Sequence, residues 1–132
     1  MKIAFITAIP IALASFQALS ENQLDHNLRT YCFKAVELSA YSAEAAMGYP
    51  GAKDDAYGFG DSLDMTKAEV DRVINYYSHN RDIASKLAAV KKMDMDSQTY
   101  IERSMAQNCM EEPVKYIPSY TRLVKQGILP KF

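Results

Sequence analysis

The sequence predicts an all-α protein, a compact bundle of four to six helices held by one disulfide. Apolar residues recur every three or four positions along most of the chain, as on amphipathic helices. No stretch alternates apolar and polar residues as a half-buried strand does. Two cysteines, Cys32 and Cys109, follow an export-like leader. We therefore predict a signal peptide over residues 1–20 and one helical domain over residues 21–132, which is long enough to bury a core.

The leader has the three parts of a Sec-type signal peptide. Lys2 precedes an apolar run from Ile3 to about Ala14, and Ala18 and Ser20 place small residues at the −3 and −1 positions of a cut. The apolar run is short for a bilayer span, although an uncleaved anchor is the alternative interpretation. We expect a periplasmic or secreted protein that is not held by the membrane after cleavage.

The first predicted helix begins at the leader boundary. Ser20 and Gln23 match a capping box, although cleavage after Ser20 would remove the cap residue. Gly48 followed by Tyr49-Pro50-Gly51 indicates the helix end and a turn. The inward stripe of this helix has a four-three spacing and consists of Leu24, Leu28, Tyr31, Ala35, Leu38, Ser42 and Ala45.

The periodicity fades between Gly51 and Met65, which predicts a loop, with a short helix around residues 52–57 as an option. Thr66 and Glu69 then form a second capping box. The helix after it should bury Val70, Val73, Ile74 and Tyr77. The next helix, or a kinked continuation, should run to about Met93 and bury Ile83, Leu87 and Val90.

Two further helices complete the predicted bundle. The stretch "DMDS" from residue 94 is a start signal, and Pro113 marks the end of that helix or a sharp kink. The inward residues of that helix are Ile101, Met105 and Cys109. The last helix should begin near Pro118 and stop at Gly127, with Tyr120, Leu123 and Val124 inward.

The cysteines are predicted to form a structural disulfide. An even count in an exported chain favours pairing, and neither Cys32 nor Cys109 lies in a CxxC motif of the redox-active type. A bridge between them closes a large loop, and chain entropy alone assigns such a loop roughly 4–5 kcal/mol.

The sequence offers little that resembles catalytic or metal-binding chemistry. His26 and His79 lie in polar surroundings near helix ends, and two separated histidines do not make a zinc site. "DMDSQTY" begins like a calcium loop, but Thr99 and Met105 stand where that loop has Gly and Glu. The net charge of −1 gives no general attraction to nucleic acid. We predict no catalytic residue, metal, cofactor or nucleic-acid partner.

The candidate site is the stretch "DDAYGFGDSLD", residues 54–64. Residues 48–71 carry two lysines against six acids. Gly58 and Gly60 allow close backbone approach, and tyrosine and phenylalanine rings are favoured at interfaces. Such a loop suits a cationic or polar cleft of another protein. The alternative is that its rings fold back as a cap on the core. The predicted partner-binding residues are Asp54, Asp55, Tyr57, Phe59, Asp61 and Asp64.

Three motifs in this order resemble the amidase immunity proteins of type VI secretion systems. They are "TYCFKAVELS", "DAYGFGDSLDMTKAEVDRVINYY" and "AQNCMEEP". The resemblance implies a periplasmic protein, often a homodimer through helix faces, that binds a secreted amidase effector and occludes its active site. It assigns inhibition to Asp54 to Asp64 and catalysis to no residue of this chain.

Two other classes of function stay open at this level. One is a helical stress chaperone of the periplasm, which would expose apolar surface in acid and bind many clients loosely. The other is a small hydrolase, whose turnover would depend on Asp61 or Asp64.

Overall fold

The computed structural model describes residues 19–132, and the predicted leader lies outside these residues except for its last two. The described part is all-α, contains no strand and has one disulfide, so the predicted fold class is confirmed. The helices are α1 (Glu21–Ala46), α2 (Ala52–Ser62), α3 (Lys67–Ser78), α4 (Arg81–Val90), α5 (Met95–Glu111), α6 (Pro113–Tyr116) and α7 (Tyr120–Lys125). Residues 19–132 contain seven helices rather than four to six, because prolines divide the C-terminal part. Pro113 occupies the first turn of α6, and Ile117, before Pro118, is extended.

Helix α1 is the central element and contacts α2, α3, α4, α5 and α6. Ser20 caps it by accepting the backbone N–H of Gln23 (3.2 Å), as predicted. The Gln23 side chain donates to Asn27 instead of closing a capping box. Because partners lie on several sides, the buried surface of α1 is wider than one seam. Its buried residues are Leu28, Cys32, Ala35, Val36, Leu38, Ala40, Ser42 and Ala43.

The segment predicted as a loop is helical over nearly its whole length. Helix α2 follows Gly51, whose φ of 78° lies in the left-handed region that glycine tolerates. Its buried stripe is Ala52, Ala56 and Gly60, four residues apart. A methyl group at Gly60 would overlap the Val70 side chain on α3, so this glycine permits close packing of two helices. The loop prediction is therefore wrong, whereas the short helix considered at residues 52–57 is present as part of a longer one.

Helix α3 begins as predicted. The Thr66 hydroxyl accepts the Glu69 N–H (3.2 Å), and the Glu69 carboxylate accepts the Thr66 N–H (3.0 Å). Val70 and Tyr77 are buried on the predicted face.

Helix α4 buries only part of the predicted face, since Val90 is buried and Leu87 is partly buried as predicted, but Ile83 is not. Ala84 and Ala88 are buried together with Val90, whereas Ile83 remains 45% exposed. Ala84 forms a small cluster with Ala43 of α1, where a large side chain would hold the two helices apart. The inward position predicted for Ile83 is therefore wrong.

A partly buried ion-pair network ties the corner after α4 to α1 and α5. The Lys91 ammonium pairs with Glu37 of α1 and with Glu102 of α5 (3.2 Å to the latter). Burial alone lowers the pKa of Lys91, but the two carboxylates outweigh it, so the pKa is raised. The ammonium also lies 5.0 Å from the centre of the Tyr41 ring.

The disulfide joins α1 to α5. Cys32 and Cys109 are fully buried, with Cα atoms 5.6 Å apart, and the predicted pairing is confirmed. The C-terminal part packs into the same core cluster as the disulfide. Ile117 and Leu123 are fully buried, and Gly127 ends the last helix with a φ of 75°.

Candidate interaction surface on helix α2

The outward side of α2 carries a patch of carboxylates. With 100° between successive residues, Asp54, Gly58 and Asp61 fall on one line along the helix, flanked by Asp55 and Ser62. All five are exposed, opposite the Ala52–Ala56–Gly60 stripe. We call these five residues the α2 acidic face. Within residues 19–132, none of its three carboxylates has an ion-pair partner.

Gly58 lies at the centre of the α2 acidic face and is not required by the fold. A methyl group built on it would meet nothing within 4 Å. Glycine in an exposed helix interior is about 1 kcal/mol less favourable than alanine. Its absent side chain contributes to a shallow depression of about 330 Å³, which the two neighbouring aspartates, Phe59 and Ser62 also line. This depression gives a partner access to the helix backbone.

Tyr57 is turned towards α3 rather than outward. Its hydroxyl donates to the Asp71 carboxylate (2.6 Å), and the ammonium groups of Lys53 and Lys67 lie 5.7 and 5.3 Å from its ring centre. The hydrogen bond to Asp71 is the main reason that the pKa of Tyr57 is raised. The Tyr57 side chain therefore connects α2 to α3, and it contacts two ammonium groups and one carboxylate within the molecule.

Phe59 packs on the opposite flank of α2. Its ring stacks on Tyr41 of α1, with centroids 5.5 Å apart and planes 10° apart, at the edge of the main core cluster. This geometry corresponds to the core-cap alternative and leaves only part of the ring exposed.

Asp64 belongs to a network that closes the turn between α2 and α3. The Arg122 side chain donates to its carboxylate (3.2 Å) and to Glu69 (3.0 Å), and Gln126 donates to Asp64 (3.0 Å). Asp64 has a φ of 59°, a left-handed conformation in which aspartate is more common than most residues. The Thr66 N–H and Arg122 lower the pKa of Glu69. Asp64 therefore anchors α7 to this turn.

The six predicted partner-binding residues thus divide into two groups. Asp54, Asp55 and Asp61 come together on the α2 acidic face, whereas Tyr57, Phe59 and Asp64 make contacts within the molecule. The sequence indicated that Gly58 allows close backbone approach, but not that it lies on an outward helix face. The four-residue spacing of Ala52, Ala56 and Gly60 predicts the buried stripe of a helix, and this signal could have placed Gly58 on the outward face.

The described residues offer no arrangement for metal binding, since no group of three His, Cys, Asp or Glu side chains there is positioned to hold an ion. His26 and His79 are exposed, and His79 has its Nδ1 atom 2.9 Å from the Asn75 carbonyl oxygen. Among the helices of residues 19–132, none combines the length and hydropathy needed to cross a bilayer.

Comparison of the chain with protein-family models, with curated proteins and with solved structures finds no match.

Proposed function

We propose that this protein is a periplasmic inhibitor that binds a peptidoglycan-cleaving amidase effector and occludes its active site through the α2 acidic face. One observation carries the proposal: Asp54, Asp55 and Asp61 are exposed together and have no ion-pair partner in residues 19–132. The amidase as partner and the periplasm as location come from the sequence resemblance and the export-like leader.

The charge of the face supports docking onto a cationic or polar cleft. Like charges held on one helix face repel one another, and a partner with complementary charge relieves that repulsion while it steers encounter. Gly58 allows the partner backbone to approach the helix closely.

The rest of the fold holds α2 in place before a partner binds, so binding costs little conformational entropy. Helix α2 is held by its buried stripe, by the Tyr57–Asp71 hydrogen bond and by stacking of Phe59. The disulfide joins α1, on which α2 packs, to α5. A preformed helix loses little conformational entropy when it enters a groove. A homodimer through helix faces, which the resemblance implies, belongs to the same proposal and is measured by light scattering after size exclusion.

The test uses a purified peptidoglycan-cleaving amidase effector, sought first in the reading frame next to the gene for this protein and otherwise by pull-down from periplasmic extract. Peptidoglycan cleavage is followed while the amidase is titrated with the inhibitor, and we expect one-to-one inhibition. The double variant Asp54→Lys/Asp61→Lys should slow association and weaken inhibition at least tenfold. A matched control, Asp82→Lys/Glu111→Lys, reverses one exposed acid in the first turn and one in the last turn of other helices.

The outcomes separate the classes of function. Equal inhibition by both double variants would remove the α2 acidic face from the proposal, and no binding by the unaltered protein would remove the amidase as partner. Turnover of peptidoglycan by this protein alone, lost in Asp61→Asn, would favour the hydrolase. Weak binding to many unfolded clients, increased in acid, would favour the chaperone.

A further inference from the structure

A second surface lies on the other flank of α3. A groove of about 590 Å³ runs between α3 and α6, with Leu38 and Ser39 of α1 along its floor. Asp71 of α3 faces α2 through its bond to Tyr57, whereas Arg72 and Tyr76 line the groove. The groove is therefore separate from the α2 acidic face, and its volume falls within the usual range of ligand sites.

The charge available in the groove is positive. Arg72 of α3 and Lys115 of α6 are exposed at the lining, and neither forms an ion pair within residues 19–132. The acid at the same lining, Glu69, is occupied by Arg122 (3.0 Å). Two cationic side chains from different helices thus line the groove, and neither is paired with a carboxylate of residues 19–132.

Aromatic rings border the same groove. Tyr76 is 52% exposed and Tyr116 is 38% exposed, while Val73 and Tyr77 contribute more deeply buried apolar surface. The Tyr76 ring stands edge-on to Tyr77, with centroids 5.2 Å apart, so its orientation is partly set before any ligand binds. Exposed tyrosines around a recessed apolar floor are typical of protein interaction sites.

We propose that this groove binds a short acidic peptide segment of a partner protein. Carboxylates of the segment pair with Arg72 and Lys115, and an apolar side chain of the segment lies between Tyr76 and Tyr116. The planar guanidinium of Arg72 suits bidentate pairing with a carboxylate. The proposal is independent of the amidase, because it concerns another surface and another charge.

The test is fluorescence anisotropy with a labelled hexapeptide that alternates glutamate and leucine. We expect saturable binding that weakens as salt is added, and no binding of the same peptide with lysine for glutamate. The variant Arg72→Gln/Lys115→Gln should weaken binding about tenfold or more. The control Arg103→Gln/Lys125→Gln removes two exposed cations from α5 and α7 and should bind as the unaltered protein does.

The tyrosine contribution is tested separately. Tyr76→Ala should weaken peptide binding and Tyr76→Phe should retain it, because the proposed contact with the apolar side chain of the peptide is made by the ring and not by the hydroxyl. Independently of any variant, the peptide should shift the backbone amide resonances of Ser39 and Val73.

Each of the following results would overturn the proposal: no binding of the glutamate peptide, equal binding of the lysine peptide, or equal binding by the two double variants. Displacement of the peptide by N-acetylglutamate at a concentration equal to that of the peptide would instead identify a site for small carboxylates. That result would also overturn the proposal.

Discussion

The two glycines inside α2 permit a matched pair of substitutions with opposite expected effects. A methyl group at Gly58 meets open space, whereas one at Gly60 overlaps the Val70 side chain. Gly58→Ala should raise the free energy of unfolding by about 0.5–1 kcal/mol, since alanine favours the helix interior. Gly60→Ala has the same helix advantage, but overpacking costs about 1–3 kcal/mol, so a net loss of about 1–2 kcal/mol is expected.

Urea unfolding followed by far-ultraviolet circular dichroism measures both changes, and the Gly58→Ala gain corresponds to about 2–5 °C in melting temperature. The same Gly58→Ala protein should inhibit the amidase about tenfold less well, because the methyl group occupies the surface assigned to the partner backbone. A Gly60→Ala protein at least as stable as the unaltered protein would refute the close α2–α3 packing. Unchanged inhibition by the stabilised Gly58→Ala protein would refute close approach at this glycine.

Three further predictions follow from the covalent and ionic contacts. The oxidised, denatured protein should show no reactive thiol, and replacing Cys32 and Cys109 by serine should lower the free energy of unfolding by about 4 kcal/mol in urea. The pKa of Glu69 is lowered in the folded protein, so the contribution of this carboxylate to the free energy of unfolding is present above the unfolded pKa, near 4.5, and is lost as pH falls further. Glu69→Gln should therefore flatten the dependence of the free energy of unfolding on pH in that range. An unchanged slope would argue against the Thr66 and Arg122 contacts. Lys91→Met should lower the free energy of unfolding by about 2 kcal/mol, because two partly buried carboxylates lose their partner. Lys86→Met, at an exposed position of α4, the helix that precedes Lys91, should change it little. Equal melting curves for the two variants would contradict the network.

The ends of several helices could be predicted because capping is local. Ser20, Thr66 and Asp94 each accept the backbone N–H three residues later, and Gly127 ends the last helix in the left-handed conformation. These interactions depend on neighbours within one turn, which the sequence displays directly.

Helix α2 could not be predicted with the same means. Its two glycines and its acids weaken the local helix signal, while much of its stability comes from packing of Ala52, Ala56 and Gly60 between other helices. Ile83 shows the converse error. Its size suggested burial, but the close approach of α1 and α4 selects Ala84, and only the crossing of the two helices reveals that.

The sequence by itself determined the helical class, the main helix starts and the disulfide, since two cysteines allow one intramolecular pairing. Only the tertiary structure decided the roles of the carboxylates. Asp64 meets Arg122, 58 positions later in the chain, while Asp54, Asp55 and Asp61 remain on the outward face of α2. The physical reason is that an ion pair depends on a separation of a few ångströms in space, and packing brings distant residues together in ways that spacing along the chain does not show.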